Sequence, residues 1–120
     1  EIRIMDAQTQ TERSAHLLEY LYYLLSDLSE RYDDGESGES HRLEILCENK
    51  WRSLRYGYNS TFINWETSNQ IDLIDLVESE CQRLGTSSLR TLYDIGSGSS
   101  SQRDQYNSGG IDALCRGLII

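Results

Sequence analysis

The sequence has little positive charge and no long apolar run. Lys50 is the only lysine in 120 residues, and eleven basic side chains stand against twenty acidic ones, for a formal charge of -9. Non-specific binding to nucleic acids or to anionic membranes needs a diffuse positive field, so this composition excludes both partner classes. No apolar run approaches the roughly 18 residues that a membrane-spanning helix requires. We therefore expect an acidic protein with no nucleic-acid partner and no membrane partner.

The length and the cysteines bound the class of protein. A chain of 120 residues with 38% hydrophobic residues suits one domain, residues 1–120, with a modest core. Its first residues match neither a signal peptide nor a natural start, which predicts a piece of a longer protein. Cys47, Cys81 and Cys115 are odd in number and lie in apolar helical patterns without metal-site spacing. They predict buried free thiols in a reducing compartment, which favours a cytoplasmic protein.

Apolar periodicity predicts an α+β protein that is mostly helical, with about four to six helices and one or two short strands. The predicted first helix carries leucines and tyrosines so closely spaced that we expect it to be largely buried. Ser68 or Asn69 is the expected N-cap of the third helix and Gly85 its end. In chain order, the predicted elements are a strand over residues 1–6, helices over 11–32 and 42–56, a short strand within 58–67, and helices over 69–84, 87–95 and 111–119, with Leu114 and Leu118 inward in the last.

Two segments are predicted to lie outside the core. Residues 33–40 contain no apolar side chain and two glycines, so we expect a mobile acidic surface loop there. Residues 96–101 are only glycine and serine and predict a flexible segment. Gly96-x-Gly98 resembles part of a phosphate-binding loop, but it lacks the preceding hydrophobic strand and a following lysine, so a linker is favoured.

Residues 48–57, Glu-Asn-Lys-Trp-Arg-Ser-Leu-Arg-Tyr-Gly, concentrate polar chemistry on the predicted second helix. Asn49, Arg52 and Arg55 project away from the apolar side of that helix and form a row of donors suited to one polyanion. Arg52 is favoured over Arg55 because it points directly away from the apolar stripe. The alternative is a solvent-facing stripe whose arginines pair with acidic neighbours, namely Glu44, Glu48 or Glu66.

Glu1 and Arg3 share one face of the predicted first strand, about 7 Å apart. A carboxylate such as Glu1 is a hard oxygen ligand for Mg²⁺, and a guanidinium such as Arg3 can pair with a phosphate or a carboxylate in two hydrogen bonds. The alternative is a cross-strand ion pair on a solvated face.

The order and spacing of these motifs resemble the C-terminal part of the glutamate–cysteine ligase-like carboxylate–amine ligases over nearly the whole chain. The Glu-Asn-Lys-Trp-Arg helix with its trailing Arg-Tyr-Gly is the most specific block. Ser101 stands where that family often has a basic residue, which weakens a nucleotide-binding role for the Gly-rich segment. The other blocks are Glu1-Ile2-Arg3-Ile4-Met5-Asp6, Ile74-Asp75-Leu76-Val77, Arg83-Leu84-Gly85 and, more loosely, residues 96–103 and 110–114.

The resemblance implies a glutamine-synthetase-like fold and a ligase of glutathione biosynthesis type. Such a ligase uses ATP and Mg²⁺ to phosphorylate a carboxylate, typically of glutamate, and an amine such as that of cysteine then displaces phosphate. Glu1 would be a metal ligand and Arg3 a catalytic contact to the phosphoryl group or the substrate carboxylate. The implied ATP-binding or substrate-binding residues are Asn49, Arg52 and Arg55.

The resemblance also implies that the chain alone is catalytically incomplete. Most of the family's metal-binding carboxylates lie in a portion absent here, so the expected partners are ATP, the amino-acid substrates, the missing N-terminal portion of the same fold and, as a further expectation, another copy in a homo-oligomer. A second hypothesis is a non-catalytic acidic helical module whose tyrosine-rich first helix binds a partner protein. Carboxylate-bearing strands upstream in the parent reading frame would favour the ligase.

Overall fold

The computed structural model of the chain describes residue 8, residues 10–36 and residues 42–118. The predicted strand over residues 1–6, with Glu1 and Arg3, lies outside the described residues. Those residues form five α-helices and one two-stranded antiparallel sheet, so the predicted α+β class and helix count are confirmed. The elements are α1 (Thr11–Asp33), α2 (Leu43–Tyr56), a 3-10 turn (Gly57–Asn59), β1 (Thr61–Ile63), β2 (Gln70–Asp72), α3 (Leu73–Leu84), α4 (Ser88–Ile95) and α5 (Gly98–Gly117).

The hairpin of β1 and β2 corrects the predicted start of the third helix. We expected helix from residue 69, but residues 70–72 pair with β1, with Phe62 opposite Ile71. Asp72 is therefore the N-cap of α3, in place of Ser68 or Asn69. Asn64 closes the hairpin turn because its side-chain oxygen accepts the backbone N–H groups of Glu66 and Thr67, both at 2.9 Å. A three-residue strand is too short for its periodicity to be distinguished from the first turn of a helix.

The best-buried part of the molecule lies where α1, α3 and α4 pack together. Val77 of α3 is only 5% exposed, and Gly85 ends α3 in the left-handed conformation, as predicted. The Tyr58 ring after α2 stacks on that of Tyr93 in α4 with 5.3 Å between centroids. This stacking connects the 3-10 turn to the helical group.

Ion pairs fasten α3 to both of its neighbours. Arg83 donates two hydrogen bonds of 2.8 Å to Glu80 and a third to Asp27 of α1, and together these carboxylates raise the pKa of Arg83. Arg90 of α4 pairs with Glu78 of α3 in the same way. Burial, and then the Glu80 carboxylate, raise the pKa of the Tyr20 hydroxyl on α1.

The C-terminal half of the last helix was predicted, but its start was not. α5 begins at Gly98, so residues 98–101, expected to be a flexible segment, form its first turn. Ser97 caps that turn, since its hydroxyl oxygen accepts the Ser100 N–H at 3.1 Å. Gly109 and Gly110 have non-helical dihedral angles, which kink the helix just before the predicted segment.

Several apolar side chains that the pattern assigns to the interior are exposed. The first helix was expected to be largely buried, but its outer stripe is solvent-accessible, and Leu118 of the last helix, expected inward, is also exposed. The three cysteines are free thiols as predicted, but Cys47 and Cys115 are exposed and Cys81 is only partly buried. Within the described residues, no helix is both long enough and apolar enough to cross a membrane. The exposed stripe of α1 comprises Leu18, Tyr22, Leu25, Leu28 and Tyr32.

Candidate functional site

The polar face of α2 lies against the outer edge of the hairpin. Asn49 makes the central contact: its side-chain oxygen accepts the backbone N–H of Ile63 at 2.7 Å, and its amide nitrogen donates to the Ile63 carbonyl at 2.9 Å. The side chain thus pairs with β1 as the backbone of a third strand would. An unpaired strand edge is costly when it is removed from water, so Asn49 both satisfies this edge and fixes α2 beside it.

Arg52 lies one helical turn further on and also faces the hairpin. Its guanidinium donates to the hydroxyl of Thr61 at 3.0 Å and to the Glu48 carboxylate at 2.8 Å. Its side chain is only 19% exposed. Arg52 does point away from the apolar stripe, as predicted, and the pairing with Glu48 that belonged to the alternative interpretation is present. Two of its nitrogen atoms are therefore engaged, one by Glu48 within α2 and one by Thr61 of β1.

Arg55 differs from both. It is exposed in the last turn of α2 and has no hydrogen-bond or ion-pair partner among the described residues. A free guanidinium can bind a phosphate or a carboxylate in two parallel hydrogen bonds. The structure therefore divides the predicted row of three donors into two residues bonded to the hairpin and one cation that is available.

A second candidate site is a cavity of about 740 Å³ between the start of α1, the α3–α4 pair and the start of α5. This volume lies within the range of about 300–1,000 Å³ that is typical of small-molecule sites. Its apolar wall includes Leu17, Leu73, Val77, Leu89, Leu92 and Leu118, and its polar lining includes Gln8, Arg13, Ser97, Ser99, Gln102 and Gln105.

Two polar groups of this cavity were not singled out in the sequence. Arg13 donates a hydrogen bond to the carbonyl of Gly96 and so holds the start of α5 against α1. The side-chain oxygen of Gln105 is buried and has no hydrogen-bond partner among the described residues. Gly96-x-Gly98 was the available signal, because Ser97 and Gly98 line the cavity. Its interpretation as a linker hid the connection, since Arg13 is distant in sequence.

The described residues do not assemble a metal site. Within residues 10–36 and 42–118, no three His, Cys, Asp or Glu side chains lie close enough to hold one ion. The expected ligand Glu1 lies outside this part of the chain. The part of the chain that the structure describes therefore does not fit Mg²⁺ by itself.

Comparison with known proteins assigns the family. The family model described as glutamate-cysteine ligase family 2 matches residues 1–116. The chain belongs to glutamate-cysteine ligase family 2. The matched residues include the α2–hairpin contact and the lining of the cavity except for Gly117 and Leu118. No solved structure matches the chain.

The curated relatives are considerably longer than this chain. It is 45% identical over all 120 residues to a glutamate–cysteine ligase of Natronomonas pharaonis, covering 33% of that protein. It is also 45% identical to a glutamate–cysteine ligase of Haloferax volcanii, covering 34% of it. A third relative with the same name, from Haloquadratum walsbyi, is 38% identical over 120 residues. The chain thus spans about a third of the length of the curated relatives it matches.

Proposed function

We propose that the chain forms part of an ATP-dependent carboxylate–amine ligase that joins glutamate to cysteine. The observation that carries this proposal is the family match over residues 1–116, together with 45% identity along the whole chain to relatives named glutamate–cysteine ligase. On this proposal the complete protein has a glutamine-synthetase-like fold and works in the cytoplasm in glutathione biosynthesis. The free thiols of Cys47, Cys81 and Cys115 suit such a reducing compartment.

The proposed reaction has two steps. A carboxylate oxygen of glutamate attacks the γ-phosphorus of ATP, which releases ADP and forms an acyl phosphate. The cysteine amine then attacks the acyl carbon, phosphate leaves, and the nitrogen loses a proton to give the amide. Negative charge spreads over the phosphoryl oxygens during the first step, so fixed cations beside them lower the barrier.

Arg55 is the residue of α2 that we assign to this charge. Its guanidinium is exposed and has no partner among the described residues, whereas Asn49 and Arg52 are bonded to the hairpin. We therefore assign Asn49 and Arg52 as positioning residues, which set the rotation of α2 and so the direction of Arg55. Any direct contact of these two residues with ATP or substrate would add to that role.

Mg²⁺ is expected with ATP, but the described residues provide no cluster that fits it. The proposal therefore leaves its ligands to Glu1 and to carboxylates elsewhere in the complete protein. Arg3 keeps its proposed contact with the transferred phosphoryl group or the substrate carboxylate. We derive no catalytic step through the metal.

The test is a hybrid protein in which this chain replaces the matching third of the Haloferax volcanii relative. We expect the hybrid to release ADP only when both glutamate and cysteine are present, and to yield their amide as judged by mass spectrometry. A folded hybrid that releases ADP at the same rate with and without the two amino acids would contradict the proposal. That result would favour the alternative, a non-catalytic interaction module, for which the exposed stripe of α1 is the supporting observation.

A further inference from the structure

The outer face of α2 is apolar and uncovered. We use this name for Leu43, Leu46, Cys47, Trp51 and Leu54, all of which are exposed. Leu54 is 78% exposed and Leu43 69%. Scattered single leucines on a surface are ordinary, but here five exposed apolar side chains share one helix face around Lys50, which is more than single scattered residues would give.

The rotation of α2 about its axis is fixed by its opposite face. Asn49 holds both backbone groups of Ile63, and Arg52 holds Thr61, so α2 cannot turn its leucines toward the hairpin without breaking these bonds. The patch is therefore a consequence of specific polar contacts. It points to a surface directed at something outside the described residues.

We infer that the outer face of α2 docks against the remaining two-thirds of the ligase fold, the part that the relatives have and this chain does not. This inference rests on the family assignment and on the proposal that the chain works within such a fold. The chain covers only 33–34% of the Natronomonas pharaonis and Haloferax volcanii relatives, so most of the fold is available to cover the patch.

A second copy of this chain is a poorer occupant, first because of area. A 14-residue helix is about 21 Å long and, at a width of roughly 10 Å, offers a face on the order of 200 Å². A stable interface between two proteins buries about 800 Å² on each partner. A copy docked through this face alone would thus bury too little surface.

The net charge of the chain is a second argument against another copy as the occupant. Each copy carries a formal charge of -9, so two copies brought together repel each other. This repulsion adds to the area argument against a second copy. The only lysine, Lys50, is exposed and follows Leu43 by seven residues, so it lies within the outer face and gives that face a local positive charge in an acidic chain.

Cys47 provides the test because it lies within the outer face. In the hybrid protein, peptide-level mass spectrometry would follow iodoacetamide labelling of Cys47 under native conditions and after unfolding in guanidinium chloride. We expect native labelling to be slower by about tenfold or more, because a docked thiol reacts only when the contact opens. Cys115 of α5 is exposed but lies away from this face, and serves as the control for general reactivity.

Each outcome decides for or against the inference. Native labelling of Cys47 at nearly the unfolded rate would overturn it. Protection that is lost on dilution would also overturn it, because the occupant would then be a second copy. Leu54→Glu should increase the labelling of Cys47 in the native hybrid, whereas Ser79→Glu on the exposed side of α3 should not; equal effects of the two would count against docking.

The labelling needs neither ATP nor amino acids, so it is independent of the proposed activity. An inactive hybrid with protected Cys47 would contradict the ligase proposal and support docking. An active hybrid with freely reactive Cys47 would support the ligase proposal and contradict docking.

Discussion

The two regions of the molecule are held together by different interactions. In the group formed by α1, α3 and α4, apolar side chains such as Val77 meet in the interior and ion pairs such as Arg83 with Asp27 lie at the margin. In the group formed by α2 and the hairpin, the contact is polar and runs through Asn49 and Arg52, while the apolar face of the helix is exposed. An amphipathic pattern therefore predicts which face of a helix is buried only when the surface that packs against that face is present.

Within α2, the same difference distinguishes residues that hold the helix in place from a residue that is available to bind a ligand. A motif that contains Asn49, Arg52 and Arg55 in successive turns invites a single role for all three. The first two bond to the hairpin, and the third has no partner in the part of the chain that the structure describes. The predictions below therefore test each region and each role separately, from the largest expected effect to the smallest.

The largest effect is expected for Arg55→Ala in the hybrid protein. If Arg55 stabilises charge on the phosphoryl group, its loss should lower kcat on the order of 100-fold, or about 3 kcal/mol, with little change in melting temperature. Arg42→Ala, which removes an exposed cation at the other end of α2, is the matched control and should leave turnover near that of the unmodified hybrid. Equal turnover in the two variants would mean that Arg55 has no role in catalysis.

Asn49→Asp should break the α2–hairpin group. The substitution keeps the shape but replaces the amide donor with an anion facing the Ile63 carbonyl, at a cost of about 2 kcal/mol in the free energy of unfolding. Urea unfolding measures it, with Asn107→Asp at an exposed position of α5 as the control. Val77→Ala should cost a similar amount, about 2 kcal/mol, by loss of buried methyl groups in the other region.

The two variants differ in one further respect that sharpens the comparison. Asn49→Asp should partly recover its stability at acidic pH, where the introduced carboxyl is protonated and can donate to the carbonyl, whereas Val77→Ala should show no such recovery. A pH-independent loss for Asn49→Asp would mean that the donor contact to Ile63 contributes little.

A smaller effect is expected for the ion pair between Arg83 and Asp27. Both side chains are partly exposed, so a double-mutant cycle with alanine at each position should give a coupling of roughly 0.5–1 kcal/mol. Salt should reduce this coupling, since the pair is reached by solvent. A coupling that is unchanged at high salt would indicate that the pair is more enclosed than its exposure suggests.

The smallest effect concerns Tyr20 and alkaline pH. Burial and the nearby Glu80 carboxylate raise the pKa of Tyr20 above its usual value near 10. The neutral hydroxyl is therefore favoured in the folded state, and its contribution is complete below pH 10 and is lost as the pH rises through the folded-state pKa. Tyr20→Phe should lose less melting temperature between pH 8 and pH 11 than the unmodified chain does; an equal loss would mean that Tyr20 does not sense this environment.

The sequence by itself determined most of the helix bounds, and the starts of α3 and α5 are the exceptions. The leucine and tyrosine spacing of α1, the apolar spacing of α2 and the glycine after α3 predicted those elements to within about two residues, except for the start of α3. These features depend on contacts three or four residues apart and on the conformational freedom of Gly85, so they are encoded locally. The family resemblance was likewise contained in local blocks and is confirmed by the match over residues 1–116.

Only the tertiary structure decided which face of each helix is covered. The pairing of Asn49 with Ile63 joins residues fourteen positions apart, and the contact of Arg13 with Gly96 joins residues 83 positions apart. Periodicity carries no information about such distant partners. The hydrophobicity of Leu43, Cys47 and Leu54 favours their burial, but burial requires a partner surface. In this structure the edge of β1 packs against the polar side of α2, so these three side chains stay exposed.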